Sequence, residues 1–168
     1  GAVIGSEARI DEVEESRGIL GGSRSPHDAY LLLRGMKTAA LRVRRQNDSA
    51  LAIAQHLDAH PAIARVYYPG LKTHPDHAVA VRQMDGFGGV VSFEVDGTKE
   101  STSAFVDRLR IPHIGPTLGG VESIVQQQAL FISLDPEERR KSGIADTLIR
   151  YAVGVEAVDD LIADLDRA

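Results

Sequence analysis

No cysteine occurs among the 168 residues, which excludes disulfides, thiolate nucleophiles and zinc–thiolate centres together. No apolar run approaches the roughly 20 residues that a membrane-spanning helix needs, and no secretory leader is recognisable. Charge of one sign is only in slight surplus: 19 Lys and Arg stand interspersed against 24 Asp and Glu, for a net charge of -5. Such a surface offers no footprint for nucleic acid or a membrane, so a cytoplasmic location is the expectation. Repeats, heptads and low-complexity stretches are missing as well. There is no initiator Met, and Gly1-Ala2-Val3-Ile4-Gly5 reads like the middle of a strand. A lone terminal strand cannot bury both faces or pair its ladder. The expectation is a piece of a longer protein, or one chain of a split one, with the missing part upstream.

What remains is an ordinary globular composition, with 43% hydrophobic and 26% charged residues, enough for one real core. Ser6 is a candidate cap for a helix beginning at Glu7 and running towards Arg17, with Gly18 as its stop. Ser25-Pro26 is a stronger start signal, a capping hydroxyl followed by proline at the first helical position. Ala29, Leu32, Leu33, Met36, Ala40 and Val43 then recur at helical spacing, and the pattern predicts one long helix as far as Leu57, with Gly35 inside it. Strands are expected at 64–68, 90–95, 111–114, 124–125 and 148–153, and amphipathic or capped helices at 98–109, 135–143 and 158–165. His74 and His77 lie three apart, a spacing that can bind metal, but no further ligand pattern surrounds them and surface histidines are the expectation. Gly86-Phe87-Gly88-Gly89 precedes a strand and does not open a helix, so it lacks the anion-binding helix end of a phosphate loop. Helices and strands with short connections suit an α+β layer, a small, mostly antiparallel sheet with helices on one face.

One stretch organises the rest: Thr117-Leu118-Gly119-Gly120-Val121-Glu122-Ser123. Paired glycines permit a tight turn or a close approach, and a carboxylate and a hydroxyl follow. Further on, Arg150 interrupts the apolar run Leu148-Ile149-Arg150-Tyr151-Ala152-Val153, where an unpaired guanidinium would be costly. A guanidinium beside a serine hydroxyl and backbone donors suits a bound carboxylate. The residues alone leave a plainer reading open: an ordinary loop, with Arg150 on the solvent face or paired to an internal acid such as Glu156.

Ser25-Pro26-His27-Asp28-Ala29-Tyr30-Leu31-Leu32-Leu33-Arg34-Gly35-Met36-Lys37-Thr38 resembles the interdomain helix of the pyridoxal-phosphate enzymes of cysteine and methionine metabolism. Cystathionine γ-synthase, the cystathionine lyases, methionine γ-lyase and the O-acylhomoserine sulfhydrylases form that family. Tyr67-Tyr68-Pro69-Gly70-Leu71, Gly86-Phe87-Gly88-Gly89, Leu118 to Ser123 and Leu148 to Glu156 are similar to family blocks in the same order. Ile111 to Pro116 leans towards the γ-synthase branch.

The resemblance implies a fold-type-I enzyme: residues 1–22 as the tail of the large cofactor domain, 23–58 as the interdomain helix and 59–168 as the C-terminal α+β domain, usually in a homotetramer. It implies pyridoxal 5'-phosphate as cofactor, bound mainly by an upstream portion that also carries the Schiff-base lysine. Lys37, Lys72, Lys99 and Lys141 do not match that lysine, so no catalytic residue is assigned in this chain. Ser123 and Arg150 match the family's binders of the amino-acid substrate's carboxylate, and Glu122 matches a position beside the substrate's side-chain end. Gln126-Gln127-Gln128 and Phe131-Ile132-Ser133 depart from the family pattern next to that site. The function implied is γ-replacement or C–S bond elimination on sulfur amino acids. The competing readings are a non-catalytic ligand-binding or oligomerisation module, or one piece of an enzyme completed by a second chain.

Overall fold

In the computed structural model, residues 3–132 and 135–168 are described. The chain divides into two compact units, Gly1–Ala39 and Ala40–Ala168. In the first, α1 (Glu7–Leu20) runs past the expected stop at Gly18 and ends at Gly21, where φ is 85°. That is a left-handed conformation glycine adopts without a Cβ penalty. Ser6 occupies the cap position, but its side chain makes no capping bond. Of the expected opening strand, Gly1 and Ala2 lie outside the described residues, and the stretch from Val3 to Ser6 is not a strand. The second helix, α2 (Pro26–Met36), begins as its cap predicts: Ser25 Oγ accepts from Asp28 N at 3.1 Å.

The single long helix expected from Pro26 to Leu57 is instead two. After α2 comes a turn at Lys37 and Thr38, and α3 (Ala39–Asp58) follows. Gly35 and Thr38, both poor helix formers, flank the break. The apolar spacing runs through it unbroken, which is why periodicity alone misses it.

In the second unit, α3 buries Gln46, Ser49, Ala50, Ile53, Ala54 and Leu57, one face at helical spacing. A five-stranded sheet carries the core, in the order β1-β2-β5-β4-β3. Its strands are β1 (Ile63–Tyr67), β2 (Val90–Val95), β3 (His113–Ile114), β4 (Ile124–Gln127) and β5 (Leu148–Ala152). The sheet is mixed: β3 and β4 run parallel, and the other three pairings are antiparallel. The remaining helices are α4 (His77–Gln83), α5 (Lys99–Arg108), α6 (Gln128–Phe131), α7 (Pro136–Lys141) and α8 (Val158–Arg167).

Side chains along a strand alternate between faces, and the two faces differ sharply. Val91, Phe93, Val125, Ile149 and Tyr151 point one way. They form a single core with Ala50, Ile53 and Leu57 of α3, Val106 of α5, and Leu161 and Leu165 of α8. Burying each large apolar side chain contributes about 1.5–3 kcal/mol. On the other face the register sets Ser92 opposite Arg150, and Arg150 opposite Gln126. A polar row therefore crosses three neighbouring strands.

The local caps follow their residues. Thr98 and Ser101 form a reciprocal capping box at the start of α5. Asp135 accepts from Glu137 N and Glu138 N at the start of α7, and these bonds hold its carboxyl below the ordinary range. His74 Nδ1 accepts from Asp76 N at 3.2 Å, and His77 Nδ1 lies 2.8 Å from Pro69 O. Within the Gly-rich stretch, Gly88 has φ 92°. Its N–H donates to Asn47 Oδ1 at 3.0 Å, and its carbonyl accepts from Tyr68 Oη at 2.8 Å. That stretch is thus a strand entry fastened to α3 and to Tyr68, the residue that follows β1.

Candidate functional site

Residues 116–122 are exposed and lead from the edge strand β3 into β4. Several tethers hold this loop along its length. Arg150 Nη2 donates to Pro116 O at 2.7 Å and to Thr117 O at 3.1 Å. Gln46 Nε2 donates to Gly120 O at 2.7 Å, and Val155 N to Val121 O at 2.9 Å. At the far end the Glu156 carboxylate takes both donors of Ser123: the backbone N–H at 2.7 Å and the hydroxyl at 3.0 Å. Gly154 N in turn donates to Ser123 Oγ at 2.9 Å, and Arg45 Nη2 donates to the Glu156 carbonyl at 2.9 Å.

The sequence-predicted residues do not converge as a two-group grip. Ser123 is wholly buried, in step with Val125 and Gln127, and its hydroxyl is occupied by Glu156 and Gly154. Arg150 leaves the opposite face, in step with Leu148 and Ala152. The internal acid Glu156 does find a partner in the chain, but that partner is Ser123 and not Arg150. Glu122 is exposed at the loop's end, beside Gly120.

Arg150 is half-buried, and its hydrogen-bond partners are two neutral backbone carbonyls. Its Nε is out of water with no partner. A carboxylate brings a full negative charge and two oxygens that match the guanidinium fork, so it could displace those carbonyls. Gln46 and Gly154 are the residues to which sequence reasoning gives no part, while Glu156 enters there only as a partner for Arg150 and Gln126 only as a departure from the family pattern. Their actual contacts depend on strand register and on α3 lying against the loop.

The glutamate tether carries its own prediction. Glu156→Ala leaves the Ser123 N–H and hydroxyl without their acceptor, at about 1–3 kcal/mol. Urea unfolding should show a loss of about 2 kcal/mol, and Glu156→Gln, which keeps one acceptor oxygen, should lose less than half of that. Equal losses for the two variants would count against the tether.

Tyr151 is wholly buried, and its hydroxyl lies by Ser123 without a well-formed hydrogen bond. Burial pushes its phenol well above the ordinary value, with the neighbouring Ser123 offsetting part of the shift. Burial likewise pushes Tyr68 up, to about 12 from 10.0. Both shifts favour the neutral phenol in the folded state. Stability is therefore intact below pH 10 and falls as the pH rises from there towards 12 and beyond, while the unfolded chain ionises and the folded one does not. Tyr151→Phe removes an unsatisfied buried hydroxyl, so the expected result at neutral pH is unchanged or slightly higher stability, with a shallower alkaline decline. A loss of 2 kcal/mol or more at neutral pH would show that the hydroxyl has a partner after all.

Comparison with known proteins adds the chemistry that geometry alone leaves open. The model of the Cys/Met metabolism PLP-dependent enzymes matches residues 1–168. The chain belongs to that family. Pyridoxal phosphate is accordingly the cofactor. Among curated members, cystathionine gamma-synthase 1 of Arabidopsis thaliana is 51% identical over 170 residues, covering 100% of this chain and 30% of that protein. Among solved structures, a cystathione gamma lyase of Micromonospora echinospora superposes with a TM-score of 0.91 at 37% identity, covering 98% of this chain and 44% of that one. The cystathionine gamma synthase of Xanthomonas oryzae, solved in complex with cystathionine, gives 0.83 at 44% identity, over 88% of this chain and 39% of that one. The chain thus spans less than half the length of these relatives.

The lysines of this PLP family member do not fit the cofactor's aldehyde. Lys37, Lys72 and Lys141 are exposed and Lys99 is half-buried. Lys141 pairs with Glu137 at 2.9 Å on the surface of α7. None sits in the enclosed, dry setting that a covalent cofactor lysine needs to shed its proton.

Proposed function

We propose that this chain is the substrate-gripping C-terminal portion of a PLP-dependent enzyme of sulfur amino-acid metabolism. The reaction is of the cystathionine γ-synthase kind, replacement at the γ-carbon or elimination across a C–S bond. The observation that carries the reading is Arg150, a half-buried guanidinium on the polar face of the sheet whose partners are two backbone carbonyls that a carboxylate would outcompete. Its role is positional. The cofactor supplies the electron sink for amino-acid chemistry, and Arg150 holds the acid end of the substrate so that the reacting carbon is presented in one orientation. Glu122, exposed at the end of the same loop, borders the substrate's side-chain end. Ser123 belongs to the site by fastening that loop to Glu156.

On this reading residues 1–22 are the tail of the large domain, 23–58 connect to it and 59–168 form the C-terminal domain. The complete enzyme is a homo-oligomer, a tetramer by the resemblance. The exposed Tyr30, Leu31, Leu32, Leu33 and Met36 on α2 support an assembly that covers them, since apolar surface of that extent is usually an interface.

The complete protein with pyridoxal phosphate should form cystathionine from cysteine and a homoserine ester, or cleave cystathionine, with the product read by mass spectrometry. Absence of any turnover or binding with these amino acids, in a protein that retains the cofactor, would overturn the reading.

A further inference from the structure

We infer that Gln126 is a positioning residue for Arg150, its buried amide oxygen being the acceptor that steadies the guanidinium through Nε when the terminal nitrogens hold a substrate carboxylate. The inference rests on the reading of Arg150 given above, and it concerns a residue in the run of glutamines that departs from the family pattern.

Three observations point to it. Gln126 and Arg150 are direct cross-strand partners in the β4–β5 ladder, so their side chains share a face, with Cβ atoms about 4.5–5.5 Å apart. Gln126 is only 5% exposed, and its Oε1 is buried without a hydrogen-bond partner, as is Arg150 Nε. One atom is an acceptor lacking a donor and the other a donor lacking an acceptor. Buried polar groups in folded proteins are seldom left in that condition, and two complementary orphans on adjacent strands are an arrangement waiting for a small side-chain rotation. Finally, the nitrogen end of the amide is held, with Nε2 donating to Gln128 Oε1 at 3.3 Å. That contact leaves the oxygen end free to serve the guanidinium.

The chemistry explains why such a partner is useful. With no guest, Arg150 spends Nη2 on Pro116 O and Thr117 O. A substrate carboxylate bound in fork geometry needs two parallel N–H donors in one plane. The guanidinium is rigid, so a bond from Nε to a fixed acceptor sets the plane of the whole group and leaves both Nη atoms for the guest. An amide suits this role better than an acid would. A carboxylate at position 126 would neutralise the charge that attracts the substrate, whereas a neutral oxygen orients the guanidinium without competing for it.

The test uses the complete holoenzyme. Gln126→Met keeps the side chain's length and removes the acceptor oxygen. The expected result is a KM for the amino-acid substrate raised about tenfold with kcat within about threefold, and an unfolding midpoint no lower than that of the parent. A merely structural glutamine would instead lose stability, or lose kcat and KM together. In an Arg150→Lys background, where no planar Nε–H exists, Gln126→Met should cause no further rise in KM. Gln126→Glu puts a carboxylate beside the guanidinium, which competes with that of the substrate, so its KM should rise about tenfold or more at neutral pH with kcat within about threefold. It provides the readout if the methionine variant does not fold, and a parental KM for it would overturn the inference. So would a parental KM for Gln126→Met alongside a raised KM for Arg150→Lys, while leaving the role of Arg150 intact. An unchanged KM for Arg150→Lys and Arg150→Ala would instead remove the grip itself.

Discussion

Replacing Arg150 by alanine in the complete enzyme should raise KM for the amino-acid substrate by about two to three orders of magnitude while kcat falls by less than about tenfold. The magnitude follows from what the side chain offers. A hydrogen bond to an ionised partner contributes about 1.5–3 kcal/mol, and a guanidinium gripping a carboxylate makes two, with no equivalent supplied by solvent in a half-buried site. Fold stability should barely change. The lost bonds are those from Nη2 to Pro116 O and Thr117 O, on a loop that Gln46 and Glu156 also hold. Arg150→Lys keeps the charge but not the fork, so it should recover only part of the affinity. Steady-state kinetics over a wide substrate range checks this. A fall in kcat with KM unchanged would place Arg150 in a different role.

Gly154→Ala is the second large effect, and it should act through the loop without touching the substrate. A Cβ at this position would run into Glu156 Oε2 and the Val121 carbonyl oxygen and would lie 2.6 Å from the Glu122 carbonyl carbon. Two of those obstacles are backbone, and the third is a carboxylate already bonded to Ser123. None can swing aside as a free side-chain end would. Overpacking of this kind usually costs about 1–3 kcal/mol, occasionally more, and a backbone clash belongs at the upper end. The expected outcome is a loss of about 3 kcal/mol in urea unfolding and a deep loss of activity, because Glu122 and Ser123 must shift together. Gly119→Ala is the contrast. Its φ of 78° is unfavourable for alanine, but nothing lies near the added carbon, so the loss should be about 1 kcal/mol. Parental stability for Gly154→Ala would show that the loop is not held as described.

How much of this was legible in the sequence depended on how local the cause was. Ser25-Pro26, Thr98 and Asp135 announce their helices because a cap is made by residues within three or four positions of each other. The short apolar runs in Val90 to Val95 and in Leu148 to Ala152 announce two strands for the same reason. The turn at Lys37-Thr38 stayed hidden, since it interrupts the backbone without interrupting the apolar spacing. The site was half visible. Glycine-rich loop, carboxylate, hydroxyl and arginine could all be singled out by type, and the family likeness gave them roles. Their faces could not be read, because a shift of one residue in register moves a side chain to the other side of the sheet. Ser123 and Arg150 were expected together for that reason, and they lie on opposite faces. Glu156 and Gln126 are bound up with them only through pairings between β4, β5 and the segment after β5. No pattern along the chain encodes those pairings directly.

The most direct test of the central claim compares two ligands that differ at one group: an unreactive amino acid and its carboxamide, titrated into the complete holoenzyme with and without Arg150→Ala. The account predicts that the parent prefers the carboxylate by about a hundredfold or more and that the variant loses nearly all of that preference. An undiminished preference in the variant would mean that the acid end of the substrate is held by some other group.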